Sequence, residues 1–239
     1  MSLNDPELVA AQYADERALA ARRRVWNEFA DGRNGDDVTF DAVTEAHPRR
    51  LLEVGCGWGA MAERIRGGTD ADVTALDASS RMVELARSRG VRAFVASADA
   101  LPFADAAFDT VLANAMLYHV PDVERGLDEI ARVLTDDGHL IATTFGADNL
   151  REVWELVGDP AVELSFSREN GEALLRRRFT QVELRRVTRT VTFPDADEVR
   201  TYVASTITRG RYAARVPAFD GPFVAHGDYA VFVAGRPLR

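Results

Sequence analysis

Leu51-Leu52-Glu53-Val54-Gly55-Cys56-Gly57-Trp58-Gly59 is an apolar run that ends beside an acid and passes into three glycines at alternate positions. Glycine has no Cβ, so Gly55, Gly57 and Gly59 can form a tight turn in which the backbone comes close to a ligand. Met61, Ala62 and Ile65 follow at helical spacing, and a helix starting near Gly59 would point its unpaired N–H groups at the same place. The stretch predicts strand, turn and helix around a bound ligand, although an ordinary strand-to-helix turn has the same spelling.

Further strands are expected at Asp72 to Leu76, Arg92 to Val95, Phe108 to Ala113 and His139 to Thr144, beside Arg50 to Val54 itself. Helices are expected between them at Ala60 to Arg66, Ser79 to Ser88 and Val123 to Leu134, the last closed by Asp136-Asp137-Gly138. This alternation implies βαβ units and a mostly parallel sheet buried on both faces, a doubly wound α/β fold. The pattern changes after Phe145. Leu150 to Val157, Arg168 to Arg178 and Ala196 to Thr206 read as helices, Gln181 to Phe193 as one long or two bent strands, and Tyr229 to Ala234 as a last strand. A terminal pair of this sort closes a sheet edge antiparallel. Thr208 to Gly227, with its glycines and prolines, is a loop or lid. Upstream, Leu8 to Ala30 predicts a helical extension, broken once, and Phe40 to Glu45 a short helix.

The 239 residues suit one such domain with accessories. No apolar run approaches the ~20 residues of a membrane span, and Met1 to Glu7 is polar, without a signal-peptide core, so a soluble, cytoplasmic protein is expected. The formal charge of −9 argues against a nucleic-acid partner. Every one of the 29 basic residues is arginine, which removes Schiff-base and P-loop lysine chemistry. The single cysteine, Cys56, excludes internal disulfides and thiolate-cluster metal sites, and no metal is expected.

Three acids, Glu53, Asp77 and Asp99, fall at the carboxyl ends of three successive predicted strands, where open α/β sheets bind ligands. Asp77 follows Gly55 at close to the ~20-residue offset from which an acid takes the two hydroxyls of a ribose; sharing the cap of the next helix with Ser79 or Ser80 is the plainer role. Asp99 can accept from an exocyclic amino group, with Ala78, Met82, Ala100 and Leu101 sandwiching a flat base. The combination describes adenosine. Beyond the fourth strand, His119 has the unperturbed pKa of a general base, or serves as a structural donor before the Pro121-Asp122 helix start.

Leu51 to Gly59, Asp77, the run from Asp99 through Leu101-Pro102-Phe103 to Phe108-Asp109, and the stretch from Glu129 to Leu140 together resemble the class I S-adenosylmethionine-dependent methyltransferases, in particular a small-molecule branch similar to the ubiquinone and menaquinone C-methyltransferases. The resemblance covers about Arg49 to Thr144 and implies a Rossmann-like, seven-stranded sheet. It implies that Glu53, Gly55, Cys56 and Gly57 surround the methionine part of S-adenosylmethionine, that Asp77 holds the ribose, that Asp99 and Ala100 meet adenine with Ala78 and Met82 beside them, and that the Asn114 backbone faces the methionine amino group. Tyr13 resembles a tyrosine that closes over the cofactor, and an arginine among Arg17 and Arg22 to Arg24 is a partner for the methionine carboxylate. Residues 1–47 then form a helical cap over the cofactor. Residues 48–239 form the methyltransferase domain, with the acceptor shaped within 145–228 by aromatics such as Tyr13, Trp26, Phe29, Phe145, Trp154 and those from Tyr202 to Tyr212. The expected reaction is in-line methyl transfer to a small-molecule acceptor, leaving S-adenosylhomocysteine, with His119 as catalytic candidate beside Tyr118. No Asn-Pro-Pro-Tyr or Asp-Pro-Pro-Tyr follows the fourth strand, which speaks against adenine, cytosine or glutamine N-methylation. Gly55-x-Gly57-x-x-Ala60 also fits an NAD(P)-dependent oxidoreductase, and a non-catalytic cofactor-binding module keeps the same residues. Acceptor, methylated atom and oligomeric state are left open.

Overall fold

The structure, a computed structural model, describes residues 3–159 and 163–238. Met1 and Ser2 of the polar N-terminal stretch, residues 160–162 within 145–228, and Arg239 lie outside the described residues. Leu51, Leu52 and Val54 have no exposed surface, as a parallel strand covered on both faces requires. They sit on β1 (Arg50–Val54), which pairs in parallel with β2 (Asp72–Asp77) on one side and β4 (Phe108–Asn114) on the other. β3 (Arg92–Val95) lies beyond β2, and β5 (Leu134–Phe145) beyond β4. Two long strands, β6 (Phe179–Phe193) and β7 (Phe223–Pro237), complete a seven-stranded sheet in the order β3-β2-β1-β4-β5-β7-β6, with β7 antiparallel to β5 and β6. Strand order reverses at β1, so a crevice opens at the carboxyl ends of β1 and β4, where such sheets take ligands.

Three helices precede β1: α1 (Pro6–Gln12), α2 (Arg17–Arg24), which runs on into a π turn over Val25–Phe29, and α3 (Gly35–Glu45). α4 (Ala60–Gly68), α5 (Ser80–Ser88) and α6 (Val123–Val133) stand among the parallel strands, and α7 (Arg151–Leu156), α8 (Gly171–Leu175) and α9 (Ala196–Ala204) follow them. Short polar side chains start the crossover helices: Ser79 accepts from the Met82 N–H and Asp122 from the Arg125 N–H, caps worth about 1 kcal/mol each. α6 sets Leu127 and Ile130 against one face of the sheet, with Leu140 and Phe232 in the same cluster. α3, α4 and α5 bring Val43, Ile65 and Val83 to the other, with Leu51 and Ile141. A third cluster joins Val25 of the N-terminal segment to Leu150, Trp154, Phe193 and Tyr202. It ties the first helices to the C-terminal half, above the crevice.

Several boundaries differ from expectation. The helix expected over Arg168 to Arg178 shrinks to α8 because Ser167 and Asn170 turn on one another: the Ser167 N–H donates to Asn170 Oδ1 and the Glu169 N–H to Ser167 Oγ, the local competition that keeps such residues out of helices. The turn expected at Asp136-Asp137-Gly138 is a bulge within β5, where pairing shifts from Phe108↔Leu134 to Thr110↔His139. β7 begins at Phe223 rather than Tyr229, so the irregular stretch is shorter and holds a 3₁₀ turn over Gly210–Arg215. Gln181 to Phe193 lies within one continuous strand. Among the described residues no helix is long and apolar enough to cross a membrane.

Candidate functional site

At the end of β1 the chain takes three left-handed steps, with φ of 69° at Gly55, 52° at Gly57 and 80° at Gly59. A Cβ on Gly55 would stand 2.7 Å from Met116 Cγ, and one on Gly59 2.8 Å from Ala86 Cβ, so the turn fits neither space nor conformation of a larger residue there. Asp77, at the end of β2, pins this loop: its Oδ2 accepts from the Gly57 N–H (2.8 Å) and its Oδ1 from the Ser79 N–H (2.9 Å). A carboxylate offers about four lone-pair directions, so Asp77 retains acceptor capacity toward the crevice.

Above the loop lies a cavity of about 400 Å³. Glu53 forms part of its wall and is 2% exposed, yet its Oε2 has no hydrogen-bond partner. Burial pushes its carboxyl up to about 8, against the pull of the Ala62 N–H. Burial likewise holds the Cys56 thiol far above its ordinary range, so it stays protonated and unreactive. At the end of β4, Asn114 Oδ1 accepts from Thr143 Oγ1 (2.7 Å) and the Tyr229 hydroxyl (2.9 Å). The Ala115 N–H donates to Thr143 Oγ1 (2.8 Å) and holds Ala115 at a φ of 53°.

The N-terminal helices close the cavity from above. Tyr13 contacts His119 Nε2 at 3.2 Å, and His119 Nδ1 lies 2.9 Å from the Leu3 carbonyl. A carbonyl only accepts, so Nδ1 carries the proton and Nε2 receives the Tyr13 O–H. Burial pushes His119 down to about 4, the Leu3 bond opposing and the Arg22 charge assisting. Both ring nitrogens are thus engaged, and His119 reaches the cavity as a neutral acceptor for Tyr13. The cap is latched from two sides. Ser79 Oγ donates to the Tyr13 carbonyl (2.8 Å) and Arg81 pairs with Glu16 (3.1 Å), while Gln12 (3.0 Å) and Arg22 (2.5 Å) donate to the Ser205 carbonyl at the end of α9.

Of the residues singled out in the sequence, Tyr13, Glu53, Gly55, Cys56 and Gly57 meet in this wall, together with Asp77, Ala78, Asn114 and His119. Met82, Asp99 and Ala100 are not brought to it. Met82 has no exposed surface and sits on the buried face of α5. β3 ends at Val95, two residues before Ser97, so it is Ser97 and Ala98 that line the cavity. Asp99 has already turned away and accepts from the Ser97 hydroxyl (2.5 Å), and Ala100 is exposed. Of the arginines, Arg22 and Arg23 line the cavity, whereas Arg17 pairs with Asp15 and Arg24 with Glu28 and Glu198. Trp26, Phe145, Trp154 and Tyr202 also contribute; Phe29 instead packs tilted against Phe193, and Tyr212 lies under Arg215. Ser97, Arg189 and Tyr229 were missed. The first is signalled by its offset from the strand end, while the other two sit on long edge-side strands whose register with the crevice is not written locally.

Residues 52–142 match the Methyltransferase domain family. A malonyl-[acyl-carrier protein] O-methyltransferase of Halorhodospira halophila is 32% identical over 64% of this chain and 56% of its own length. The 27-O-demethylrifamycin SV methyltransferase of Amycolatopsis mediterranei is 38% identical over 40% of this chain and 38% of its own. The chain spans about half the length of the curated relatives it matches. Among solved structures, the YcgJ protein of Bacillus subtilis superposes with a TM-score of 0.63 at 20% identity, covering 85% of this chain and 100% of that one, a likeness of fold. The matched residues run from β1 through the core of β5 and take in the glycine loop, Asp77 and the crevice, so the part of the chain that builds the site carries the likeness to methyltransferases.

Proposed function

We propose that this protein transfers a methyl group from S-adenosylmethionine to a small-molecule acceptor, and that it does so in the cytoplasm. The observation that carries the reading is Glu53: a buried carboxyl oxygen without a partner, in the wall of a cavity beside a glycine turn, suits the ammonium group of the cofactor's methionine. In this reading the backbone from Gly55 to Gly57 lies along the methionine part, Asp77 takes the ribose hydroxyls, and Asn114 borders the methionine end. Ala78, Ser97 and Ala98 form the base wall in place of Asp99 and Ala100, with Asp99 acting through the Ser97 hydroxyl. Residues 1–47 cap the cofactor, and aromatic side chains within 145–228 shape the acceptor space. Two relatives, a malonyl-[acyl-carrier protein] O-methyltransferase and a 27-O-demethylrifamycin SV methyltransferase, favour an oxygen acceptor.

When bound, the cofactor supplies a methyl group on a sulfonium centre. The chain's own contribution is orientation and exclusion of water by the Tyr13 cap, and positioning of this kind is worth up to ~7–11 kcal/mol without a dedicated base. His119 acts by setting the Tyr13 hydroxyl rather than by taking a proton from the acceptor, since its free lone pair already receives the Tyr13 proton. Titration calorimetry with S-adenosylhomocysteine tests the reading. Binding at neutral pH should release a proton from Glu53, seen as a heat that changes between buffers of different ionisation enthalpy. Absence of binding would sink the proposal, and binding without proton release in the wild type would remove Glu53 from it. Titration with NADH separates the oxidoreductase reading.

A further inference from the structure

The upper part of the cavity holds a positive charge with which no carboxylate of the described residues pairs. Arg22 is half-buried in the wall, with Nη1 donating to the Ser205 carbonyl (2.5 Å) and Nη2 to the Tyr13 hydroxyl (3.5 Å), and no carboxylate pairs with it among the described residues. The other arginines of the wall are occupied differently. Arg23 pairs with Asp36, and Arg209 pairs with Asp159 at 2.7 Å while lying 4.2 Å over the Trp154 ring. Arg189 donates to the carbonyls of Asp31 (2.7 Å), Trp26 (2.9 Å) and Ala30 (2.8 Å), the carbonyl-rich end of the π turn.

The surroundings of Arg22 are hydroxyls on aromatic rings. Its charge acts on Tyr13, Tyr118 and Tyr202, and the hydroxyls of Tyr118 and Tyr202 have no hydrogen-bond partner among the described residues, although Tyr202 is only 6% exposed. Trp26, Phe145 and Trp154 complete an apolar frame. Arg23, the next residue on α2, faces the opposite way, over the Trp58 ring at 5.8 Å and within reach of Glu53. The two neighbours therefore serve opposite ends of one cavity. A guanidinium without a carboxylate partner, in one cavity wall with two O–H groups that no described residue engages, suits an anionic oxygen, because charge-assisted bonds to a planar fork are the strong ones.

We propose that Arg22, with the Tyr118 and Tyr202 hydroxyls, is the recognition site for an oxyanion carried by the acceptor, a carboxylate or phenolate on an apolar body of aromatic size. Calling that ligand the acceptor rests on the methyl-transfer reading; the anion site itself does not. An acceptor that arrives ionised has no proton to lose, which agrees with a cavity whose histidine is already engaged.

Quenching of the cavity tryptophans reads binding without turnover. The protein is titrated with hydrocinnamate and its neutral amide, and with pentafluorophenolate and its methyl ether, each with and without S-adenosylhomocysteine. At least one anion is expected to bind about tenfold to a hundredfold more tightly than its neutral counterpart, and which pair shows the preference distinguishes carboxylate from phenolate. Read without S-adenosylhomocysteine, Arg22→Met is expected to erase the preference and Tyr202→Phe to lower it by roughly threefold to tenfold. Equal binding of anion and neutral partner to the wild type overturns the proposal, as does an Arg22→Met protein that keeps the preference. If Arg22→Met does not fold, the wild-type ratio and Tyr202→Phe still decide. Failure of S-adenosylhomocysteine to bind counts against methyl transfer alone, because the anion ratio is read without it.

Discussion

Glu53 and His119 are perturbed in opposite senses, and their contributions to stability run in opposite directions with pH. The folded protein keeps Glu53 protonated up to about 8, whereas the unfolded chain ionises it near 4.5. The folded state holds the extra proton between those values, so stability falls as pH rises through that window. His119 binds its proton near 6.5 when unfolded and only near 4 when folded, so its contribution is lost as pH falls from about 6.5 to about 4. Denaturant titrations should show a decline in stability from pH ~6.5 to ~8 in the wild type that is absent in Glu53→Gln. Gly59→Ala should cost on the order of 1–3 kcal/mol from backbone strain alone, with the added contact on Ala86, read as a lower urea midpoint at unchanged slope. Glu53 and Asp77 are legible in the sequence because each sits at the end of an apolar run, where the topology delivers it to the crevice. Asp99 misleads for the same reason: β3 stops early, and the nearest acid is not the residue that the strand end presents.

At the scale of elements, the five parallel strands can be read from the sequence because short apolar runs between turn residues have few alternatives in a sheet covered on both sides. The ends of α8 and β7 cannot. One depends on a side-chain turn at Ser167 and Asn170, the other on pairing with β6 some thirty residues upstream. Arg189 belongs to this scale, since its guanidinium joins β6 to the π turn through three carbonyls. Arg189→Met leaves those acceptors unmet in a partly buried place and should destabilise the protein by on the order of 3 kcal/mol, while loosening Trp26 over Phe145, whose rings stack at 6.2 Å. Chemical denaturation checks the first effect, and tryptophan emission in the native protein the second.

For the whole molecule, the cap and the sheet are separate constructions joined across the cavity. The switch point follows from strand order and is visible in the βαβ pattern. The cap's attachments, from Tyr13 to His119 and from Gln12 and Arg22 to Ser205, link residues more than a hundred positions apart, except for contacts within the cap, and leave no local trace. A ligand held between the two parts should stabilise both. S-adenosylhomocysteine at about a hundred times its dissociation constant is expected to add about 2.7 kcal/mol, a rise in Tm of roughly 5–10 °C for a chain of this size. Amide exchange should slow in α1 and α2 as well as in the glycine loop; protection confined to the loop would mean that the cap does not close on the ligand.

The π turn after α2 acts as a phase adjuster. A π turn accommodates one residue more than the α-helical geometry around it, and each residue of an α-helix advances the face by ~100°. Three consecutive arginines before it go to three destinations: Arg22 to Ser205, Arg23 to Asp36 and Arg24 to Glu28 and Glu198. Deleting Asn27 would let the segment relax to a plain helix and turn that trio relative to Trp26 and the strands beneath. Such a shortened chain should keep its circular dichroism yet lose discrimination between charged and neutral ligands, so insertions and deletions here would retune what the cavity accepts before they unsettle the fold.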